Sequence, residues 1–231
     1  MARFGRAGDA FSLATFSARR LLREDGGPRL LTYAMPRIAV YGGSFDPPHV
    51  AHLLAAAYAL AVGAFDELLV IPVFAHPFQK RLSSFEHRTR MCELAFAELE
   101  HVTVSRLEQE LPVPSRTLST LEALTRERPF AELSLIVGSD VLAETSKWHA
   151  FEKVLRLAPA FVIGRAGYPH PQASAVTLPG VSSTRVRELL ARVGAPGARE
   201  ELAQLVPARV LDYALQQHLY CVPPAPSEGE L

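Results

Sequence analysis

The sequence predicts an α/β fold, a Rossmann-like parallel sheet flanked by helices with a small helical C-terminal part. Three observations lead there. Short apolar runs that read as buried strands alternate with longer stretches that read as helices. Three of those runs end on glycine, at Gly42-Gly43, Gly138 and Gly164. Strand, helix, strand at this spacing gives βαβ units, for which right-handed crossovers are the rule.

The elements follow in order. Ile38-Ala39-Val40-Tyr41 is a short apolar run and the first strand. His52 through Val62 is rich in Ala and Leu with no breaker, which suits a helix. Leu68-Leu69-Val70-Ile71 is the next strand, followed by a Pro-containing loop to Ser84 and a helix around Glu86–Leu99. Val102-Thr103-Val104 is strand-like and Leu118–Arg126 helical. Leu133–Val137 and Ala160–Ile163 are the remaining strands, and Ser182–Val193 and Pro207–His218 the closing helices. Ligands of such sheets bind beyond the carboxyl ends of the strands, so the informative residues should follow the strands.

Composition bounds the function. At 231 residues the chain can bury a substantial core, and 48% hydrophobic with 21% charged residues is ordinary for a globular domain. Acidic and basic residues balance at 24 each, so no global field points to nucleic acid or to an anionic membrane. Cys92 and Cys221 match no metal or redox spacing and read as thiols of a reducing compartment. No apolar run approaches the roughly 20 residues of a membrane helix, and a cytoplasmic protein is expected. Residues 1–34 carry six arginines against three acids and no strand pattern. A targeting leader is one reading. A poorly ordered or non-native extension is the favoured one, because Met35-Pro36-Arg37 leads straight into the first strand. The functional domain is expected over 35–221, with a flexible Pro-containing tail over 222–231.

The first strand runs into Gly42-Gly43-Ser44-Phe45-Asp46-Pro47-Pro48-His49-Val50-Ala51-His52. Paired glycines permit a sharp turn and a close backbone approach to a ligand. The following helix offers unpaired N–H groups and a positive dipole end, a ready anion site. His49 and His52, three apart, can face the same way there and donate to one anionic group. A metal pair, or capping and core roles, are the other readings of that spacing. Phosphate binding should favour the imidazolium by about 1.5–3 kcal/mol, against about 0.3–1 kcal/mol from the helix end. The pair is therefore expected neutral when empty and protonated in the complex. A second stretch, Val181-Ser182-Ser183-Thr184-Arg185-Val186-Arg187, places a capping Ser182 or Ser183 one turn before Arg187, whose planar fork can reach the same anion.

Gly42–His52 resembles the GxFDPxHxxH signature of the nucleotidyltransferase superfamily that includes the nicotinate mononucleotide adenylyltransferases, and Val181–Arg187 resembles its ISSTxIR motif. The resemblance extends over roughly 36–220, through Gly138-Ser139-Asp140, Trp148, Arg165 and the closing Leu205-Val206-Pro207 to Leu219-Tyr220. It implies transfer of AMP from ATP to nicotinate mononucleotide, with release of pyrophosphate and Mg²⁺ carried on the ATP phosphates rather than by protein ligands. By the same resemblance His49, His52, Lys80 and Arg187 serve catalysis. Gly42, Gly43, Ser44, Phe45, Gly138, Asp140, Ser182, Ser183 and Thr184 hold ATP, and Ser115, Arg116, Thr117, Trp148 and Arg165 hold the acceptor. Partners are then ATP and a small phosphorylated substrate, with a monomer or small homo-oligomer expected.

Departures fall near the acceptor. His76-Pro77-Phe78-Gln79-Lys80 has Gln79 where the family carries a histidine. Ser115-Arg116-Thr117-Leu118-Ser119-Thr120 has Arg116 for an aromatic and Ser119 for an acid. Nicotinamide mononucleotide, phosphopantetheine or another phosphorylated acceptor therefore remain alternatives, as does a non-catalytic ATP sensor. The glycine fingerprint of an NAD(P) oxidoreductase is absent.

Overall fold

The structure, a computed structural model, describes residues 34–75, 82–143, 145 and 148–220. Lys80 and Gln79, Cys221, the 222–231 tail and nearly all of the N-terminal extension lie outside the described residues.

Six strands form one sheet: β1 (Arg37–Gly43), β2 (Glu67–Pro72), β3 (Val102–Val104), β4 (Glu132–Gly138), β5 (Ala160–Arg165) and β6 (Thr177–Leu178). Their order is β3-β2-β1-β4-β5-β6 and every pair is parallel. Between them lie α1 (Val50–Val62), α2 (Phe85–Phe96), a 3-10 turn (Leu107–Glu110), α3 (Thr117–Glu127), the one-turn α4 (Ser139–Leu142) and α5 (Phe151–Leu157). The C-terminal part adds α6 (Ser183–Leu190), α7 (Ala198–Leu205) and α8 (Ala208–Gln216).

Each sequence-predicted strand is present, as are the five predicted helices, with ends shifted by a few residues. The central strands are buried on both faces, which is why they read as continuous apolar runs. Alternate residues feed two cores. Ala39, Leu68, Val70, Ile136 and Ile163 face one core with α1, α2 and the C-terminal helices. Ile38, Val40, Leu69, Ile71, Leu135 and Val137 face the other with α3 and α5. Ala51, Ala55 and Ala59, spaced four apart, are buried under α1, where their small side chains allow a close approach to the sheet. Among the described residues no helix is long and apolar enough to cross a membrane.

Five elements were not expected from the sequence: the 3-10 turn, α4, α5, β6 and α7. β6 is two residues long, and α5 and α7 are short helices entered through left-handed residues, Ala150 at φ 54° and Gly197 at φ 77°. Elements of one or two turns offer too few periods for a pattern to stand out.

Candidate active site

β1 is flanked by β2 on one side and β4 on the other, so the chain turns in opposite directions from adjacent strands and a crevice opens at their carboxyl ends. A cleft of about 540 Å³ lies there, floored by Gly42 and Gly43 from β1 and by Gly138 from β4. Gly42 owes its place to space. A Cβ built there meets nothing within 4 Å, so a larger side chain would project into the cleft. The sharp turn expected at the paired glycines falls instead on Phe45, whose φ is 47°. Its ring is buried and meets His52 edge-on at 5.0 Å and Tyr41 at 5.4 Å. Burial of the ring holds a left-handed backbone that a non-glycine residue rarely adopts.

Both histidines sit at the start of α1. His49 is the N-cap and His52 the third helical residue, and their rings stack at 3.8 Å. The His49 backbone N–H donates to His52 Nδ1 at 3.1 Å. That bond requires an unprotonated Nδ1, so a neutral His52 carries its proton on Nε2. His52 lines the cleft, whereas His49 is buried behind it with Nδ1 lacking a hydrogen-bond partner. Burial, then the nearby Arg165, lowers the His49 pKa to about 4. Burial, His49 and Arg165 hold His52 well below its ordinary value too. The expected neutral pair in the empty site follows from this desolvation.

This pair makes stability depend on pH. A histidine kept neutral in the folded chain takes up a proton at about pH 6.5 only after unfolding. Below that pH the unfolded state binds more protons, so stability falls, and for His49 it continues to fall until pH reaches about 4. Urea midpoints should decrease between pH 6.5 and 5, and a His49→Asn variant should show a shallower decrease. An unaltered protein with a flat midpoint over that range contradicts the assignment.

The loop between β1 and α1 is gripped from several sides. Arg88, only 1% exposed, donates Nη1 to the Ser44 carbonyl at 3.0 Å and Nε to the Ser83 carbonyl at 2.9 Å. This cation points at backbone. Arg187 donates Nη1 to the Asp46 carbonyl at 2.7 Å and Nη2 to Thr184 Oγ1 at 3.2 Å. Ser182 is the cap of α6, accepting from the Arg185 N–H at 3.2 Å, while Ser183 Oγ donates to the Pro47 carbonyl at 3.0 Å. The N-terminus of α6 and the start of α1 are thereby joined beside the cleft.

Gly138 leads directly into α4 across the cleft. Asp140 and Arg165 pair there at 3.2 Å, and Arg165 also donates to the Val181 carbonyl at 2.7 Å. A Cβ on Gly138 would lie 2.3 Å from Asp140 Oδ1, so this carboxylate occupies the space that glycine leaves. Arg165, assigned to the acceptor from sequence, is thus held among the residues assigned to ATP. Ser115, Arg116, Thr117 and Trp148 line the same cleft. Ser115 is fixed twice to Ala75, by its backbone N–H at 2.9 Å and by Oγ accepting at 3.0 Å. Trp148 meets Phe151 edge-on at 5.7 Å.

His52, Ser115 to Thr117 and Trp148 therefore line one crevice, whereas Phe45, His49, Arg187 and the α6 residues Ser182 to Thr184 stand beside it without lining it. Sequence reasoning passed over Glu108, a buried carboxylate of the 3-10 turn that lines the cleft. Its Oε2 accepts from the Phe74 N–H at 3.0 Å and its Oε1 from Thr120 Oγ1 at 2.9 Å. A lone acid in a polar stretch carries no local signal for such a role. Asp46 was named within its motif yet given no task, although it is 1% exposed.

Comparison with known proteins bears on the same residues. The cytidylyltransferase-like family model matches residues 40–189, well over half of the chain. A probable nicotinate-nucleotide adenylyltransferase of Anaeromyxobacter dehalogenans (strain 2CP-C) is 46% identical over 186 residues, covering 79% of this chain and 96% of the relative. One of the same description from Myxococcus xanthus is 42% identical, covering 80% and 94%. Plasmodium falciparum nicotinic acid mononucleotide adenylyltransferase complexed with NaAD shares the fold, with a TM-score of 0.69 at 20% identity over 80% of this chain and 97% of that one. The chain is a nucleotidyltransferase, and it belongs to the cytidylyltransferase-like family and, within it, with the nicotinate-nucleotide adenylyltransferases.

Proposed function

We propose that this enzyme transfers AMP from ATP to nicotinate mononucleotide, giving nicotinate adenine dinucleotide and pyrophosphate, a step of NAD biosynthesis. The observation that carries the reading is one crevice at the β1/β4 switch point, lined by His52, Arg116 and Trp148, with Arg187 bonded to the β1–α1 loop beside it. It is supported by two relatives above 40% identity whose descriptions name that activity.

A phosphomonoester acceptor is already largely a dianion at neutral pH, so the transfer needs neither an enzyme nucleophile nor a general base. An acceptor phosphate oxygen attacks the ATP α-phosphorus in line. The new P–O–P bond forms as the bond to the β-phosphate oxygen breaks, and pyrophosphate leaves with that electron pair. The protein then has two tasks, positioning and charge stabilisation. His52 donates Nε2–H to a phosphate oxygen. Arg187, fixed by Asp46 and Thr184, presents its remaining N–H groups to the triphosphate, and Lys80 adds charge. Gly42 leaves room for the phosphates beside Gly43 and Ser44, the buried Phe45 ring backs His52, and Ser182 and Ser183 brace the far side. Gly138 and Asp140 face the nucleoside. Among the described residues no three His, Cys, Asp or Glu side chains converge to hold an ion. Mg²⁺ carried on the ATP phosphates would neutralise charge on the leaving oxygens. ATP and phosphorylated acceptors are intracellular metabolites, and we read the enzyme as cytoplasmic.

Arg116 bears on acceptor choice. It is exposed, lines the cleft, and among the described residues its guanidinium has no acidic partner within 4.0 Å. Arg165 in the same cleft is paired with Asp140. An unopposed cation favours an acceptor with a ring carboxylate over one with a carboxamide, by about 1 kcal/mol where solvent screens it. The test is pyrophosphate release with ATP and Mg²⁺ on nicotinate mononucleotide, nicotinamide mononucleotide and phosphopantetheine. Nicotinate mononucleotide should be preferred, and Arg116→Ala should lower that preference roughly fivefold. Turnover confined to another acceptor rejects the reading, and ATP binding without turnover on any of them favours a sensor.

A further inference from the structure

The Asp46 carboxylate is buried, yet among the described residues no cation makes a close bond with it. The Arg187 guanidinium stands 4.0 Å from Oδ2 and is directed at the Asp46 carbonyl. What holds the carboxylate is two hydroxyls and an amide. Tyr220 Oη donates to Oδ1 at 2.6 Å, Ser83 Oγ donates to the same oxygen, and the Ser83 N–H reaches it at 3.3 Å. The two hydroxyls also touch each other at 3.0 Å. Burial and the carboxylate both push the Tyr220 phenol upward, so it stays a donor across the physiological range.

Tyr220 lies 174 residues from Asp46, past the end of α8, in a left-handed conformation with φ 65°. The bond fixes the Asp46 side chain, the Asp46 backbone receives Arg187, and Arg187 faces the phosphates. Tyr213 makes a second link of the C-terminal part to α2, its hydroxyl lying 2.8 Å from His87 Nδ1. The last described residues of the chain thus close on the phosphate end of the site.

We propose that Tyr220 and Ser83 are positioning residues for the transfer step, setting Arg187 through the Asp46 carboxylate. The proposal rests on the nucleotidyl-transfer reading above. Losing one hydroxyl should loosen the Asp46 segment and with it the aim of Arg187. That aim matters most when charge develops on the phosphates, so kcat suffers more than ATP binding.

The experiment is a double-mutant cycle on the full chain with nicotinate mononucleotide, ATP and Mg²⁺. Tyr220→Phe is expected to lower kcat about tenfold, with KM for ATP changed less than threefold. Ser83→Ala should act in the same direction. In an Arg187→Ala background, Tyr220→Phe should have almost no further effect on kcat, because its route to the reaction is gone. Full additivity with Arg187→Ala overturns the proposal, as does a normal kcat in Tyr220→Phe. Melting temperatures of each variant identify a kcat loss caused by unfolding, and a loss that vanishes when assayed 20 °C below the melting point also overturns it. If the unaltered chain itself turns over no acceptor, the transfer reading fails instead, and the two failures are distinct.

Discussion

His52→Ala is expected to lower kcat/KM at least 10²-fold, on the scale of deleting one oxyanion donor. His52 is the one member of the histidine pair that lines the cleft, and its ring is fixed by the His49 N–H and by stacking on His49. The same cap bond bears on its charge. A protonated His52 would need a proton on Nδ1 and would lose the bond from His49. Keeping that bond leaves a neutral ring with Nε2–H as donor, in the complex as in the empty site. This changes the expectation from sequence, in which bound phosphate protonates both rings. His52→Gln separates the two cases, because a glutamine amide can supply a neutral donor near the Nε2 position. A loss of about tenfold in Gln against 10²-fold or more in Ala supports a neutral donor. Equal losses in the two variants support the imidazolium, and a near-normal rate in Ala removes His52 from catalysis. Losing half of the cap should also cost about 0.5–2 kcal/mol of stability, so both variants need melting curves beside the kinetics.

Much of the fold was legible because its information is local. Each central strand is buried on both faces and therefore appears as a largely apolar run, and α1 carries its alanines at helical spacing. The strand order was not local information. It follows from the rule that parallel crossovers keep one hand, together with a reversal of direction after β3 that no single segment encodes. The short α5 and the two-residue β6 escaped for want of a period. The candidate site divides in the same manner. Residues in contiguous motifs, such as His49 and His52, could be singled out with a physical role, since spacing alone puts them on one helical turn. Glu108 could not, because its importance lies in bonds to Phe74 and Thr120, which lie 34 and 12 residues away. Asp46 and Tyr220 are a harder case still, joined only once the C-terminal part has folded back.

The largest expected effect on stability belongs to Arg88. Its guanidinium is buried, has no acidic partner within 4.0 Å among the described residues, lies over the Phe85 ring at 5.7 Å, and bonds two carbonyls from different segments. Burying a cation on neutral acceptors is costly in itself, and burial accordingly lowers its pKa, with Asp46 opposing. Arg88→Met relieves that cost. It also strands the Ser44 and Ser83 carbonyls, at about 1–3 kcal/mol each. With both carbonyls stranded and the relieved desolvation set against them, a net loss of about 2–4 kcal/mol is expected. For a domain of this size that is a melting point lower by roughly 4–16 °C. Activity should fall further than unfolding explains, because Ser44 lines the cleft and Ser83 holds Asp46. Arg88→Lys keeps the charge but not a fork that reaches two acceptors in different directions. If the fork is what matters, Lys loses nearly as much stability as Met, whereas recovery in Lys assigns the effect to charge. A urea midpoint for Arg88→Met within experimental error of the unaltered protein would mean that α2 packing alone holds the phosphate loop, and that the two carbonyls find water instead.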